Sequence, residues 1–364
     1  MPFGGKPLPG SVVALGLLVA AAVVGGHHTP SGCSSLSTPT APPGAQASSA
    51  RVAVLLEGGP CATGGRVAWA VKDDHGSSMD VLDPIADPSG GYLGVYHIVT
   101  GARQATSAPA YELLLAHSRD LVHWHRLAVL DGAGASMGAL QAVPAGPGFL
   151  LAYEKAPAQT GHYVRVCYYA SRADLVAARS VRCANVPRRF SALNDGTPSF
   201  LSIQWRGALN RSVISLAFHY QAEAGGRPGP DREAAGTLSG FRRWRAQRDT
   251  QVDAALSRAG LPGSHGDERQ FSYAGQRWRV YEANTSGDAY ATWYATLYDP
   301  GSSRIYPLAF ETPFGVFSRS FGNPIVEILP GPGGRGTVLA MTMFLFSSGP
   351  AAHGAGEMVF YRPL

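Results

Sequence analysis

One local pattern recurs along this chain at a spacing of just over fifty residues, and that spacing limits what the chain can become. Its fullest copy covers residues 111–130. The apolar, strand-like run 111–117 is followed by Ser118-Arg119-Asp120-Leu121-Val122-His123-Trp124, and the strand pattern resumes over 126–130. A Ser and an Asp two residues apart can each accept backbone N–H groups of a tight turn, while the indole covers the hairpin end. A degenerate second copy over 166–183 repeats the order with Ser171, Asp174 and Leu175 but no Trp, and Ser171 follows Ser118 by 53 residues. Units of that length, each holding several short strands, are the signature of propeller blades.

Searching for the first strand of each unit extends the series. Met79-Asp80-Val81-Leu82-Asp83-Pro84-Ile85 opens one unit, Ser136-Met137-Gly138-Ala139-Leu140-Gln141 a second, and Asn194-Asp195-Gly196-Thr197-Pro198-Ser199 a third. Asp83 and Ala139 are 56 residues apart, as are Ala139 and Asp195. Strands over 277–282 and 292–298 form a fourth unit. Ser320-Phe321-Gly322-Asn323-Pro324 opens a fifth, continued by 338–344 and 357–361. The strand-like segment 66–71 is spare, and it can complete the last blade and close the ring, which removes exposed edges. Between the third and fourth units, residues 222–266 read as an insertion. Ser239 would cap a helix over 241–259, stopped by Gly260 and Pro262, with Arg242, Arg243, Arg245 and Arg248 as a solvated face, a lid or a contact for an anionic partner. The expected fold is therefore all-β: a five-bladed β-propeller over 51–364 with a helical insertion in the third-to-fourth blade connection.

Composition agrees. Hydrophobic residues make up 45% of the 364 and aromatics 10%, enough for a large core, and 45 Gly and 27 Pro fall between the apolar runs. A net charge of +5 with interspersed signs gives no footprint for nucleic acid. At the N-terminus, Lys6 precedes a thirteen-residue apolar run, 12–24, which suits a signal segment and is short for a membrane span. Ser31-Gly32-Cys33 ends like a bacterial lipobox, with Pro30 where an aliphatic residue is usual. Lipidation at Cys33, simple secretion and an uncleaved anchor all stay open. Residues 1–33 are thus a leader and 34–50, rich in Ser, Thr, Pro and Ala, a tether. The expected location is extracellular or in the cell envelope as a lipoprotein, with membrane attachment through the lipid and a monomeric domain. Cys167 and Cys183 each lie eight residues from Leu175, so they can face one another across the second-copy hairpin as a disulfide, the alternative being two separate buried thiols. Cys61 is unassigned.

Asp83-Pro84 before a Tyr-rich strand, the Ser118-to-Trp124 hairpin and Asp195-Gly196-Thr197-Pro198-Ser199-Phe200 together resemble the five-bladed β-propeller glycosidases of the arabinanase, xylosidase and invertase type. The resemblance covers roughly 65–364 in architecture and the first three blades in motif. It implies that the starts of the inner strands gather at one mouth of the central channel. There Asp83 would be general base, an acidic residue of the second blade would tune its pKa, and a Glu of the third would be general acid. This chain has Gln141 at the second place and Asp195, one methylene shorter, at the third.

A second set of candidates follows from strand geometry alone. If each inner strand runs away from the mouth, the next strand returns to it, so His97, Glu154, His219 and Glu282 at the second-strand ends face the same site. Inverting hydrolysis of a glycosidic bond needs one protonated and one ionised carboxyl group, ~6.5–9.5 Å apart. Asp83 is the expected base and Glu154 or Asp195 the acid, with His97, Gln141, His219, Glu282 and Asn323 binding substrate. The ligand class is an oligosaccharide or polysaccharide. Tyr96, Tyr153, Tyr220 and Trp69 could stack on sugar or simply fill the core. No cofactor is required and no His or Cys pair has zinc-ligand spacing, although a hard cation such as Ca²⁺ could sit in the channel on carboxylates and water. Gly134-Ala135-Ser136-Met137-Gly138 has the form of a nucleophile elbow without the helix that should follow. Two rivals remain: a noncatalytic sugar-binding propeller, favoured by Gln141 and the shortened Asp195, and a structural envelope protein, favoured if the strand-end residues are tied up in hydrogen bonds.

Overall fold

The computed structural model describes residues 48–57, 65–100, 110–132, 134–156, 161–225, 227–286, 292–311, 317–345 and 356–364. The expected leader, Cys33, most of the tether and Cys61 lie outside the described residues. The first strand, β1 (Arg66–Ala68), belongs to the last sheet. Blade one is β2 (Asp80–Ala86), β3 (Tyr92–Thr100), β4 (Ala110–Ser118) and β5 (Trp124–Asp131). Blade two is β6 (Ala135–Ala142), β7 (Phe149–Lys155), β8 (Tyr163–Tyr169) and β9 (Arg182–Asn185). Blade three is β10 (Asp195–Gln204), β11 (Val213–Ala224), β12 (Arg227–Ser239) and β13 (Arg243–Arg248). Blade four is β14 (His265–Tyr273), β15 (Gln276–Asn284), β16 (Trp293–Asp299) and β17 (Arg304–Pro307). After a short ribbon of β18 (Phe310–Glu311) and β19 (Phe317–Ser318), blade five is built from β20 (Phe321–Pro330), β21 (Thr337–Leu345) and β22 (Gly356–Pro363). β1 pairs with β22 as its fourth strand, Arg66 opposite Tyr361, so the N-terminal end of the domain closes the ring as the sequence suggests.

The core lies between adjacent blades. Leu93, Val95, Leu113 and Leu115 of blade one pack against Leu140, Phe149, Leu151 and Cys167 of blade two, all at 2% exposure or less. Burying each such side chain contributes roughly 1.5–3 kcal/mol, enough to fix the angle between neighbouring sheets. The repeated hairpin forms as its residues require. Ser118 Oγ accepts the N–H groups of Asp120 and Leu121, and the Asp120 carboxylate accepts those of Val122 and His123. Trp124 donates its indole N–H to Leu121 O and lies against Gly94, where an added Cβ would stand 2.7 Å from the ring. In the second copy Ser171 instead caps a short helix, α2 (Arg172–Val176). Cys167 and Cys183 pair directly across β8 and β9 and form the expected disulfide, with Cα atoms 4.1 Å apart.

Two expectations are corrected. Residues 227–248 are the two outer strands of blade three, and the helix in the third-to-fourth connection is the shorter α3 (Thr250–Arg258), capped by Asp249 rather than Ser239. The reason lies in the period. Trp244 and Ala246 of β13 face the sheet while Arg243 and Arg245 face out, an alternation of two. The positive φ of Gly240 and Phe241 makes a hairpin turn where a helix start was expected. The tether also ends in structure: a helix, α1 (Ser49–Glu57), buries Val52, Leu55 and Leu56 against blades four and five, and Ser49 donates to Asp299 at 2.6 Å.

Candidate functional site at the channel mouth

Every inner strand carries the same irregularity. Its pairing with the second strand skips between Asp80 and Asp83, Ser136 and Ala139, Gly196 and Ser199, Gly266 and Arg269, and Gly322 and Ile325. The first residue inside each skip has left-handed backbone: Val81 (φ 57°), Met137 (50°), Thr197 (43°), Asp267 (44°) and Asn323 (52°). For β-branched Val and Thr this conformation is an outlier costing about 1–3 kcal/mol, so the surrounding structure must enforce it. A bulge of this kind turns the strand and re-aims the residues on either side of it.

The residues before the bulge are Asp80, Ser136, Gly196, Gly266 and Gly322, and they face His97, Glu154, His219, Glu282 and Phe344 of the second strands. The four strand-end residues named from the sequence therefore share one layer at the mouth of the channel. Asp80, partly buried and accepting the Ser78 hydroxyl at 2.5 Å, joins them and was missed by sequence reasoning. The Asp-Pro dipeptide drew attention to Asp83 instead, and nothing local in the sequence reveals a bulge three residues earlier.

Asp83, Ala139, Ser199, Arg269 and Ile325 follow the bulge and form a deeper layer. Asp83 is 1% exposed, accepts the Leu140 N–H at 2.8 Å and pairs with Arg269 at 3.3 Å. Its proper counterpart in blade three is Ser199, so the equal spacing from Ala139 to Asp195 does not mark equivalent positions. Asp195 instead matches Met79, Ala135, His265 and Phe321, all fully buried between blades. Neither of its carboxyl oxygens has a hydrogen-bond partner among the described residues, and burial pushes its pKa up to about 7 against the pull of Arg188. Gln141 lies further along β6. It lines a cavity of about 320 Å³ toward the opposite face, together with Asp83 and Glu327.

Within the mouth the carboxyl groups have separated in character. Glu154 is buried, which opposes its charge, yet it accepts from His162 Nδ1 (3.1 Å), Ser136 Oγ (3.2 Å), Thr197 N (2.7 Å) and Thr197 Oγ1 (3.3 Å). Led by His162, these partners hold it at about 2, and the Glu154 hydrogen bond raises His162 in return. Glu282 accepts one N–H, from Asn323 at 2.9 Å. Burial, and then the charge of Asp267, push it to about 8; Asp267 itself rises to about 7 through burial, with Arg269 opposing. Burial lowers the pKa of His97 and keeps its ring neutral. Glycine makes room for this arrangement. A Cβ on Gly196 would stand 2.2 Å from Glu154 Oε1 and 2.9 Å from His219 Nε2, and one on Gly266 would stand 3.1 Å from Glu282 Oε1 and 3.3 Å from His219 Nδ1. The His219 imidazole stands among these groups, its Nδ1 meeting Thr197 Oγ1 at 2.8 Å. Asn323 closes the ring with an amide contact to Met137 Sδ at 3.7 Å.

The same groups join the blades. The N–H of the left-handed residue is held by the preceding blade in four cases: Thr197 by Glu154, Asn323 by Glu282, Met137 by His97 at 3.5 Å, and Val81 by Glu357 at 3.0 Å. Among the described residues, no group of three or more His, Cys, Asp or Glu side chains is placed to hold a metal ion.

No protein-family model matches the sequence, and no curated protein matches it. Solved structures do. A glycoside hydrolase aligns with TM-score 0.56 at 11% identity, over 88% of this chain and 96% of that one. A thermostable family-43 glycoside hydrolase (TM-score 0.47, 9% identity, 80% and 91% covered) and an endo-arabinase from Bacteroides thetaiotaomicron (0.46, 9%, 82% and 97%) are further matches. At these identities the likeness is one of fold. The chain is a five-bladed β-propeller that resembles the propeller glycoside hydrolases in architecture.

Proposed function

We propose that this is an exported, carbohydrate-active propeller that hydrolyses a glycosidic bond of an oligosaccharide at the channel mouth. The observation that carries the reading is the layer itself: Asp80, Glu154 and Glu282 share it, Glu154 held low and Glu282 pushed up, around space left by Gly196 and Gly266. Divergent protonation of neighbouring carboxyl groups is what acid–base chemistry at one site demands. Glu282, protonated at neutral pH and partly buried, gives its proton to the glycosidic oxygen as the C–O bond breaks. Asp80 takes the proton of the water that attacks the anomeric carbon. Glu154, ionised and held by several donors, is unsuited to be the acid and offsets positive charge developing on the sugar. Export is supported by the leader-like N-terminus and by the Cys167–Cys183 disulfide, which persists in oxidising compartments.

A noncatalytic reading, structural as well as sugar-binding, has its own support, because Glu154 and Glu282 both spend an oxygen on the next blade's backbone. The test is hydrolysis of a panel of plant, microbial and host-type oligosaccharides by the wild-type protein and by Asp80→Asn, Glu282→Gln and Asp83→Asn. Turnover lost in the first two and retained in folded Asp83→Asn supports the assignment. Turnover lost only in Asp83→Asn overturns it, and saturable binding without turnover in the wild type establishes the noncatalytic reading.

A further inference from the structure

The face opposite the mouth carries exposed charge of one sign across blades three and four. At that end each inner strand turns into the second, and the third into the fourth. The turns are 205–212, 240–242, 274–275 and 300–303, and none contains an Asp or a Glu. They carry or adjoin six exposed arginines: Arg206, Arg211, Arg242, Arg243, Arg277 and Arg304. Among the described residues none of the six pairs with a carboxylate, and Arg206 reaches only the Gln204 side chain. The carboxyl group that adjoins the last turn, Asp299, is 6% exposed and already accepts from Ser49, Ser302 and the Gly301 N–H. Charge on an edge strand keeps sheets from pairing, which accounts for Arg243 on β13. It does not account for Arg206 and Arg211 in the turn between β10 and β11, or for Arg277 on β15, a strand paired on both sides.

The chain enters the domain on this same face. α1 starts at Ser49, bonded to Asp299 at the end of β16 far from the mouth. The residues that precede it, with the apolar run 12–24 and Cys33, therefore join the domain from the arginine side.

We propose that this face docks on an anionic phospholipid surface and holds the mouth turned away from it. Guanidinium groups form bidentate, charge-assisted hydrogen bonds with phosphate oxygens, and each cation at an anionic leaflet adds about fivefold in affinity. Turns of two neighbouring blades stand side by side at one end of the ring, so their cations address a plane rather than a single groove. One acyl chain anchors a protein only marginally, and a basic patch is the second contact that stable attachment needs. The docking does not depend on the mouth being catalytic.

The test is hydrogen exchange of the full-length protein with excess vesicles of phosphatidylcholine, alone or with about one third phosphatidylglycerol. An apolar leader meets both kinds of vesicle alike, so the difference between them reports on the face. Turns 205–212 and 240–242 should exchange more slowly on the anionic vesicles only, while the mouth-side connection 186–194 is unchanged. The protection should vanish when ionic strength rises from about 0.1 M to about 1 M. In the triple variant Arg211→Gln, Arg242→Gln, Arg243→Gln, with its melting temperature checked, the lipid concentration giving half the protection should rise about fivefold per arginine removed. The salt series reads the same contact on the wild-type chain should the variant fail to fold. Equal exchange on both vesicles, protection that resists salt or is unchanged in the variant, or protection of 186–194 in place of these turns overturns the proposal. Protection by dextran sulfate in solution without protection by vesicles also overturns it, and gives the face to a soluble polyanion.

Discussion

Glu154→Gln removes one charge at nearly constant volume and so isolates the electrostatic role of this residue. In the folded protein the carboxyl group is held at about 2, against an ordinary 4.5. A gap of that size corresponds to about 3 kcal/mol of stability at neutral pH, at about 1.36 kcal/mol per unit. Because the folded value is the depressed one, the unfolded chain takes up the proton first. The contribution is therefore complete above pH ~4.5 and drains away as pH falls toward 2. Gln can still accept the Thr197 N–H through its carbonyl, but its amide nitrogen then faces the donors Ser136 and His162. Urea unfolding of wild type and variant should differ by about 3 kcal/mol at pH 7 and by about 1 kcal/mol at pH 3. A difference that stays flat across that range, or that is below about 0.5 kcal/mol at pH 7, would refute the claim that the ionised carboxylate holds blades two and three together.

Glu282→Gln should behave in the opposite sense. Its folded value of about 8 lies above the ordinary 4.5, so its contribution is full below pH ~4.5 and is lost as pH rises through 8. The Gln variant, which cannot ionise, gains stability relative to wild type between pH 5 and 9, and a relative loss over that range contradicts the assignment. Gly196→Ala should cost about 1–3 kcal/mol, because the Glu154 oxygen 2.2 Å from the new methyl group is fixed by its donors. Gly266→Ala should cost less, at a clearance of 3.1 Å; urea midpoints in the reverse order would count against the packing described. Replacing Cys167 and Cys183 together by Ala, which opens a loop with a sequence separation of 16, should lower stability by roughly 2–4 kcal/mol in equilibrium unfolding, and reduction of the wild type should match it.

Much of the fold could be read from the chain because it depends on local pattern. The Ser118 and Asp120 turn, the strands that follow each opening, the closing role of the segment at Arg66 and the facing cysteines all rest on neighbours within a hairpin or on a repeat. The strand-end residues His97, Glu154, His219 and Glu282 were legible for the same reason, each standing where a run of apolar residues ends. Blade three was harder. The Arg and Gly content of 227–248 masks an alternation of two, and Gly266-Asp267-Glu268-Arg269 reads as loop, although it is the buried start of β14. Charged residues occupy a channel strand there because Arg269 pairs with Asp83 and Glu268 with Arg279, partners visible only in three dimensions.

The sequence by itself determined the blade count, the closure of the ring, the disulfide and the presence of titratable groups at one mouth. Periodicity and turn chemistry act over a few residues, and a repeat propagates them along the chain. The tertiary structure decided which carboxyl groups share a layer. Asp80 rather than Asp83 faces the mouth, and Asp195 turns between blades, because a bulge shifts each inner strand. Those bulges are held from the preceding blade; Glu357 fixes the N–H of Val81 from 276 residues away. Register set by a partner that distant leaves no trace in local sequence, since one skipped residue moves every following side chain to another face.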